Sequence, residues 1–422
     1  MNRAALAARL RTLAGSRFAR EFVHFTGSTL LLQASRLLVS LAAAAQLGPE
    51  RWGYWFLLNL MLTYGSVFHL GATNGMNREV PIHRGRGDAS RVEEVQGVAL
   101  AGVVVGAAFG AAALLAATAL PAASVLRVAL PSMAVLFTVT QVYAYLQTRL
   151  KSEARFRAMS VQQIAYALLL PVVVLPLAGT WGLAGFILGQ AAVAGVVAAG
   201  LMLDPATTLR LRFSWPAWRR LVGIGWPIML AGLLYALLTT VDRWVVGAFL
   251  GIEALGHYSL AILVLGVLAL VPRVIGQQVY PRMAEAYGRT GDPAEVRRWA
   301  RRQSRVATAV SLPLAAAVAL VAPFGVGTFL PEYAPGVTAM QIVLVGPVLQ
   351  SLAAGYGNLL NTVGRQRTYL LAQGVGVGTN LILSPSLVLL GFGLEGVALA
   401  TAASYGVYAL MVRWAGLAAT RS

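Results

Sequence analysis

Apolar runs long enough to span a membrane recur from residue 25 to residue 416, and no other feature limits the fold as tightly. About 20 apolar residues carry a helix across the hydrocarbon core. On that measure the first half of the chain holds spans near 25–46, 53–75, 95–118, 125–148, 159–179 and 181–203. The second half holds spans near 221–249, 255–280, 305–329, 336–360, 367–390 and 394–416. Composition agrees: 58% of the 422 residues are hydrophobic and 11% charged, against about half and a quarter in soluble domains. The expected fold is all-α and integral to the membrane, with about twelve transmembrane helices.

A net charge of +18 would suggest a nucleic-acid partner in a soluble chain, but here the charge follows the spans. Cytoplasmic loops of membrane proteins collect Lys and Arg. The N-terminus, the even-numbered connections and the C-terminus carry 28 of the 33 basic residues. The odd connections hold little beyond Glu50, Arg51, Glu253, Glu332 and Glu395. Both termini are therefore expected in the cytoplasm, and no nucleic acid is expected among the partners. Residues 1–23 interleave Arg3, Arg9, Arg11, Arg17 and Arg20 with apolar side chains, a pattern that suits a helix lying on an anionic membrane surface and equally a solvated basic tail.

The chain also repeats itself. Leu47-Gly48-Pro49-Glu50-Arg51-Trp52-Gly53-Tyr54-Trp55 has its counterpart in Leu250-Gly251-Ile252-Glu253-Ala254-Leu255-Gly256-His257-Tyr258, at an offset of 203 residues. Gly87-Asp88 before Arg91 and Gly291-Asp292 before Glu295 follow the second span of each half. Two six-helix bundles of the same orientation imply a pseudo-two-fold axis along the membrane normal, a transporter plan with the substrate path between halves. The expected domains are a basic N-terminal segment (1–24), a first bundle (25–203), a cytoplasmic linker (204–220), a second bundle (221–417) and a short tail (418–422).

Cysteine is absent, which excludes disulfides, thiolate metal sites and Cys nucleophiles. His24, His69, His83 and His257 are scattered without metal-ligand spacing, and there is no Walker A, HExxH or GxSxG motif. Neither an enzyme nor an ATP-driven pump has its essential parts, so no catalytic residue, metal or cofactor is expected. Gly102, Gly106 and Gly110 make a small-residue ridge for close helix contact.

The informative charges lie at membrane depth, where charge is costly and marks a protein-lined or water-filled path. These are Asp242, Arg36, Arg243 and Arg273. With 221–249 read as one helix, Arg243 lies about 10 Å inward from Leu250, and Arg36 about 15 Å inward from Gln46. Arg36 aligns with Thr239, one turn before Arg243, so each half supplies a buried arginine. Guanidinium groups stay charged and bind phosphate bidentately, which suits an anionic, phosphate-bearing substrate. Arg36, Arg243 and Arg273 are the expected substrate-binding residues, with Gln33, Thr239 and Gln277 offering hydrogen bonds to sugar hydroxyls. Asp242 has two readings, a buried salt bridge or coupling to an H+ or Na+ gradient. Adjacent helical residues point about 100° apart, so a salt bridge would need Arg36 or another partner rather than Arg243.

Thr240-Val241-Asp242-Arg243-Trp244-Val245-Val246-Gly247 followed by LGIEALGHY, and LGPERWGYW in the first half, resemble signatures of polysaccharide (O-antigen, Wzx-like) flippases. These belong to the multidrug/oligosaccharidyl-lipid/polysaccharide exporter superfamily. Tyr280-Pro281, Asn361 to Arg365, Asn380 and Gly391 to Ala398 extend the resemblance along the chain. Relatives often carry Arg or Lys before the first LGPE motif, where this chain has Ala45-Gln46. The resemblance implies a V-shaped cavity between two six-helix bundles in the cytoplasmic (inner) membrane, and alternating access without ATP. It also implies translocation of an undecaprenyl-diphosphate-linked oligosaccharide repeat unit for O-antigen or exopolysaccharide synthesis. The implied partners are that lipid-linked substrate, membrane lipids, a polysaccharide polymerase and glycosyltransferases; the coupling source is H+, Na+ or the membrane potential. Two alternatives remain at this point: a cation-coupled multidrug exporter of the same superfamily, and a membrane scaffold of a polysaccharide synthase.

Overall fold

The computed structural model describes residues 17–120, 124–205, 207 and 209–420, with side chains from residue 24 onward. The arginines at positions 3, 9 and 11 lie outside these residues. Helices account for nearly all of the described chain, and it contains no strand.

Ten stretches are long and apolar enough to cross a membrane among the described residues. Two of them, His24–Val67 and Phe156–Met202, each consist of two helices meeting at a non-helical glycine, Gly48 and Gly182. Gly48 falls in the gap expected between 25–46 and 53–75, and Gly182 lies just inside the expected span 181–203, two residues past the expected gap; divided at these glycines, the stretches give twelve helical crossings. In order these are α1 (17–47), α2 (49–63), α4 (Ala89–Ala116), α5 (Ser124–Ser152), α6 (156–181) and α7 (183–202), with a short α3 (Ala72–Gly85) continuing after α2. The second half follows with α8 (Trp215–Leu238), a short α9 (Val241–Val245), α10 (Ile252–Thr290), α11 (Pro293–Phe329), α12 (Val337–Val343), α13 (Val345–Thr362), α14 (Gln366–Leu389) and α15 (Gly393–Ala418). Large apolar side chains such as Val172, Leu320, Phe324, Leu389 and Leu410 stay exposed, as expected where the outer surface meets lipid tails rather than water.

One expected span is not continuous. The run 221–249 stops at Leu238 and restarts at Val241, and a π turn carries it from Val246 to Leu250. Thr239 and Thr240 cause the break locally: both hydroxyls bond back to the carbonyls of Tyr235 or Ala236, at 2.7 to 3.2 Å. Thr240 leaves the helical region at φ −139°, and the Asp242 carboxylate accepts the Arg243 N–H at 2.9 Å. Side chains that offer the backbone such bonds compete with the helix ladder. Depths counted along an unbroken helix therefore do not apply to Arg243.

By contact the chain forms two compact units. One holds the described residues up to Leu47 together with Met61–Leu230; the other holds Gly48–Leu60 and the described residues from Ala231 onward. Relative to halves divided at 204–220, the segments 48–60 and 221–230 change sides. The first unit is built on Met76, Val98, Tyr145, Leu146 and Leu150, all nearly inaccessible. Its glycine ridge packs as expected: a Cβ at Gly106 would lie 2.6 Å from the Phe68 carbonyl oxygen, and one at Gly110 would enter the Phe137 ring.

The second unit contains the repeat's most telling contact. Gly48 and Gly251 share one backbone conformation, φ 71° with ψ 168° and φ 93° with ψ 174°, which an L side chain rarely adopts. Each turns the chain into the helix that follows. Five residues on, Gly53 sits against the carbonyl of Ile252, and Gly256 sits against the carbonyl of Pro49. Pro49 and Ile252 are themselves repeat partners, so the two contacts are the same contact made twice. A methyl group at either glycine would overlap the facing carbonyl. The Gly87/Gly291 turns repeat as well, since Asp88 accepts the Arg91 N–H at 3.1 Å and Asp292 accepts the Ala294 N–H at 2.8 Å, capping α4 and α11.

Gly256→Val is expected to cost about 1–3 kcal/mol through overpacking, read as a lower thermal midpoint of the detergent-solubilised protein. Gly266→Val, in the same helix with nothing within 4 Å of its Cβ position, should leave the midpoint close to wild type.

Candidate functional site

In the second unit, helices α8, α10, α11, α13, α14 and α15 line an open cavity of about 340 Å³. Arg273 and Gln277 from α10, both expected from sequence to meet substrate, line it together. They are one turn apart, which puts them on one helix face. Facing them are Gln303, Gln350 and Asn358, with Tyr235 and Tyr280 also on the wall. Asn358 donates to the Gln303 side chain at 3.0 Å, and the Tyr408 hydroxyl donates to that of Tyr369 at 3.2 Å. Gly276 lets these amides come close, because a Cβ there would lie 3.2 Å from Gln303 Nε2. Arg273 is the one charged side chain on the cavity wall, and no carboxylate lines it. Such a wall offers one fixed positive charge and many donors and acceptors, a match for an anionic, hydroxyl-rich ligand.

Asp242 lies apart from that wall. It is 2% exposed, and its carboxylate accepts from the Tyr258 hydroxyl at 3.1 Å and from the Arg243 N–H. No basic side chain of its own unit forms a salt bridge with it among the described residues. Polar groups continue beyond Tyr258, where the Asn380 amide reaches Thr401 at 3.3 Å and Ser384 donates to Asn380 at 2.6 Å, all fully buried. Arg243 itself is half-buried, and its buried Nε has no hydrogen-bond partner. Thr239, by contrast, directs its hydroxyl proton to its own helix at Tyr235 and Ala236.

In the first unit, Arg36 of α1 is exposed and lies over the Tyr166 ring, 5.4 Å from its centroid. The rings of Tyr166 and Tyr143 are 5.5 Å apart. Tyr143 donates to Gln162 Oε1 at 2.6 Å and accepts from Gln147 at 2.7 Å. Arg36 is held by an aromatic side chain rather than a carboxylate: it lies over the Tyr166 ring and is hydrogen-bonded to the Tyr166 hydroxyl. Gln33, three residues earlier, is half-buried on the same helix. Arg36 and Gln33 thus belong to one unit, and Thr239, Asp242, Arg243, Arg273 and Gln277 to the other.

Gln303, Gln350 and Asn358 were missed in the sequence because attention went to charge. Their signal was present: Gln350, Ala354, Gly357 and Asn358 follow helical spacing inside an apolar run, a polar and small-residue face that lipid would not favour.

Residues 44–333 match the sequence family described as polysaccharide biosynthesis protein. No curated protein matches the chain. Among solved structures, the chain is similar to an inward-facing multidrug resistance MATE family transporter of the MOP superfamily (TM-score 0.71, 16% identity, 92% of this chain and 96% of that one). It is also similar to the lipid II flippase MurJ in an inward closed conformation (TM-score 0.73, 13% identity, 94% and 90%). A third, a MOP superfamily transporter from Pyrococcus furiosus described as having a binding pocket of reverse polarity, gives a TM-score of 0.65 at 15% identity over 95% of both chains. At these identities the likeness establishes the fold, that of the MOP transporters.

Tyr258→Phe removes one donor from a buried carboxylate and is expected to destabilise the protein by about 1–3 kcal/mol. A thermal midpoint equal to wild type would mean that the Tyr258 hydroxyl does not support Asp242.

Proposed function

The chain belongs to the polysaccharide biosynthesis protein family, and from that premise we propose that it is a flippase for an undecaprenyl-diphosphate-linked oligosaccharide repeat unit. In this reading it works by alternating access in the cytoplasmic membrane with both termini in the cytoplasm, delivering repeat units for O-antigen or exopolysaccharide synthesis. A polymerase and glycosyltransferases are its functional partners.

The observation that carries the proposal is the state of the membrane-depth cations. Arg36 rests on Tyr166, Arg243 keeps an unpartnered Nε, and Arg273 lines a cavity without a carboxylate. Positive groups left without acidic partners in a low-dielectric region favour an anion that arrives and leaves. In the proposed cycle Arg36 and Arg243 hold the diphosphate. Arg273, Gln277 and the amides facing them take the sugars, with Gln33 and Thr239 at the edge of that path. A cationic drug would be repelled by the same wall, which disfavours the multidrug alternative. Outward movement of the anionic head group from a negative interior gains about 2.3 kcal/mol per charge per 100 mV, so the membrane potential alone supplies a driving force. Asp242, buried and without an ion pair, is the proposed coupling group for a proton or Na+.

Each arginine is expected to contribute a charge-assisted hydrogen bond, about 1.5–3 kcal/mol, or about tenfold or more in transport. Arg36→Gln with Arg243→Gln should abolish translocation of lipid-linked oligosaccharide in proteoliposomes while insertion and thermal midpoint stay intact. Wild-type translocation by that double variant would end the substrate assignment. If Asp242→Asn is the more damaging change and cationic drugs are moved instead, the multidrug reading replaces it.

A further inference from the structure

A second cavity, in the first unit, takes no part in the site above. It is a groove of about 670 Å³ between α6 and α7, at the end of that helix pair remote from Gly182. Its walls are apolar and small: Val161, Ala165 and Leu169 on α6, and Val196, Val197 and Gly200 on α7. The spacing places each set on one helix face. Val161 and Val196 are 61% and 60% exposed, so the two faces line the groove without closing on each other. A Cβ at Gly200 would meet nothing within 4 Å.

The mouth of the groove is charged. Arg155 and Arg157 stand there with Asp204. Arg155 is ion-paired with Asp204 and also meets Glu153, at 3.7 Å. Arg157 is exposed and has no ion pair among the described residues. Deeper in the wall, Gln162 is 4% exposed and its Nε2 has no hydrogen-bond partner, although its Oε1 is engaged by Tyr143. Buried donors of this kind are seldom left unsatisfied.

We infer that this groove binds an anionic glycerophospholipid of the surrounding bilayer, with its phosphodiester on Arg157 and its acyl chain between α6 and α7. Charge decides between lipid classes. Two guanidinium groups and one carboxylate line the mouth, a net charge of one, which complements a singly charged phosphodiester and underfits a diphosphate. Register supports the assignment: Val161, one turn beyond Arg157, lies on the same face of α6 and continues with Ala165 and Leu169 as the apolar wall along which an acyl chain would run from that phosphate. The inference does not depend on what the protein transports, because its ligand is a bilayer lipid.

Native mass spectrometry of the purified full-length protein in detergent tests this, with dioleoyl phosphatidylglycerol, dioleoyl phosphatidylcholine, undecaprenyl phosphate and inorganic phosphate as separate probes. Phosphatidylglycerol should be retained in preference to the other three. Arg157→Gln should weaken that retention about tenfold, the loss of one charge-assisted bond. Gly200→Leu should abolish it by filling the groove. Both positions face open space, and unchanged thermal midpoints without added lipid verify the folds. Arg157→Lys, which keeps the charge, should retain the preference. Equal retention of phosphatidylcholine, or wild-type retention by both Arg157→Gln and Gly200→Leu, overturns the site. Preferential retention of undecaprenyl phosphate overturns the assignment to a bilayer phospholipid, and retention of inorganic phosphate alone overturns the acyl-chain groove.

Discussion

The doubled contact of Gly53 on the Ile252 carbonyl and Gly256 on the Pro49 carbonyl is the constraint on which the second unit rests. In lipid there is no hydrophobic gain in joining two apolar helices, so close backbone approach and the dispersion it brings must hold them. Glycine at both positions permits that approach, and Gly48 and Gly251 turn the chain so that each helix begins beside its counterpart. The fully buried Trp52 and Leu255, again repeat partners, pack next to the same glycines. A short motif repeated 203 residues apart thus acts as a clasp between 48–60 and the helix that starts at Ile252.

Opposite charges at membrane depth are handled differently. The one carboxylate, Asp242, is enclosed by hydrogen-bond donors and by a buried set of hydroxyls and an amide running to Asn380 and Thr401. The arginines are not enclosed. Arg36 is steadied by an aromatic face, and Arg273 projects its charge onto a wall of amides and phenols. Burial of a charge is tolerable when hydrogen bonds accompany it, and Asp242 has two within its own unit, from the Tyr258 hydroxyl and the Arg243 N–H.

Much of this was legible before any coordinates. Apolar length predicted twelve crossings; the backbone break at Gly48 falls in an expected gap, and that at Gly182 lies two residues past one. Repetition predicted equivalent turns at Gly48 and Gly251, and equivalent caps at Asp88 and Asp292. Arg273 and Gln277, chosen for chemistry and depth, share one cavity. The break at Thr239–Thr240 was not legible, because hydropathy sums over a window and does not register side chains bonding their own backbone. Gln303, Gln350 and Asn358 escaped for a related reason: a neutral amide in an apolar run reads as a minor blemish until a neighbouring helix supplies its partner.

The sequence by itself determined the number of apolar runs, the alternation of basic and charge-poor connections and the internal repeat, since these depend on length, composition and periodicity along one dimension. Tertiary structure alone decided three matters: that segment 48–60 packs with the second unit, that Asp242 bonds Tyr258 rather than an arginine, and that α6 and α7 leave a groove. Each of these turns on which helix face meets which, and in a chain whose faces are nearly all apolar that choice rests on side-chain shape and close backbone approach. Hydrophobic pattern carries little of that information when lipid is as apolar as the core.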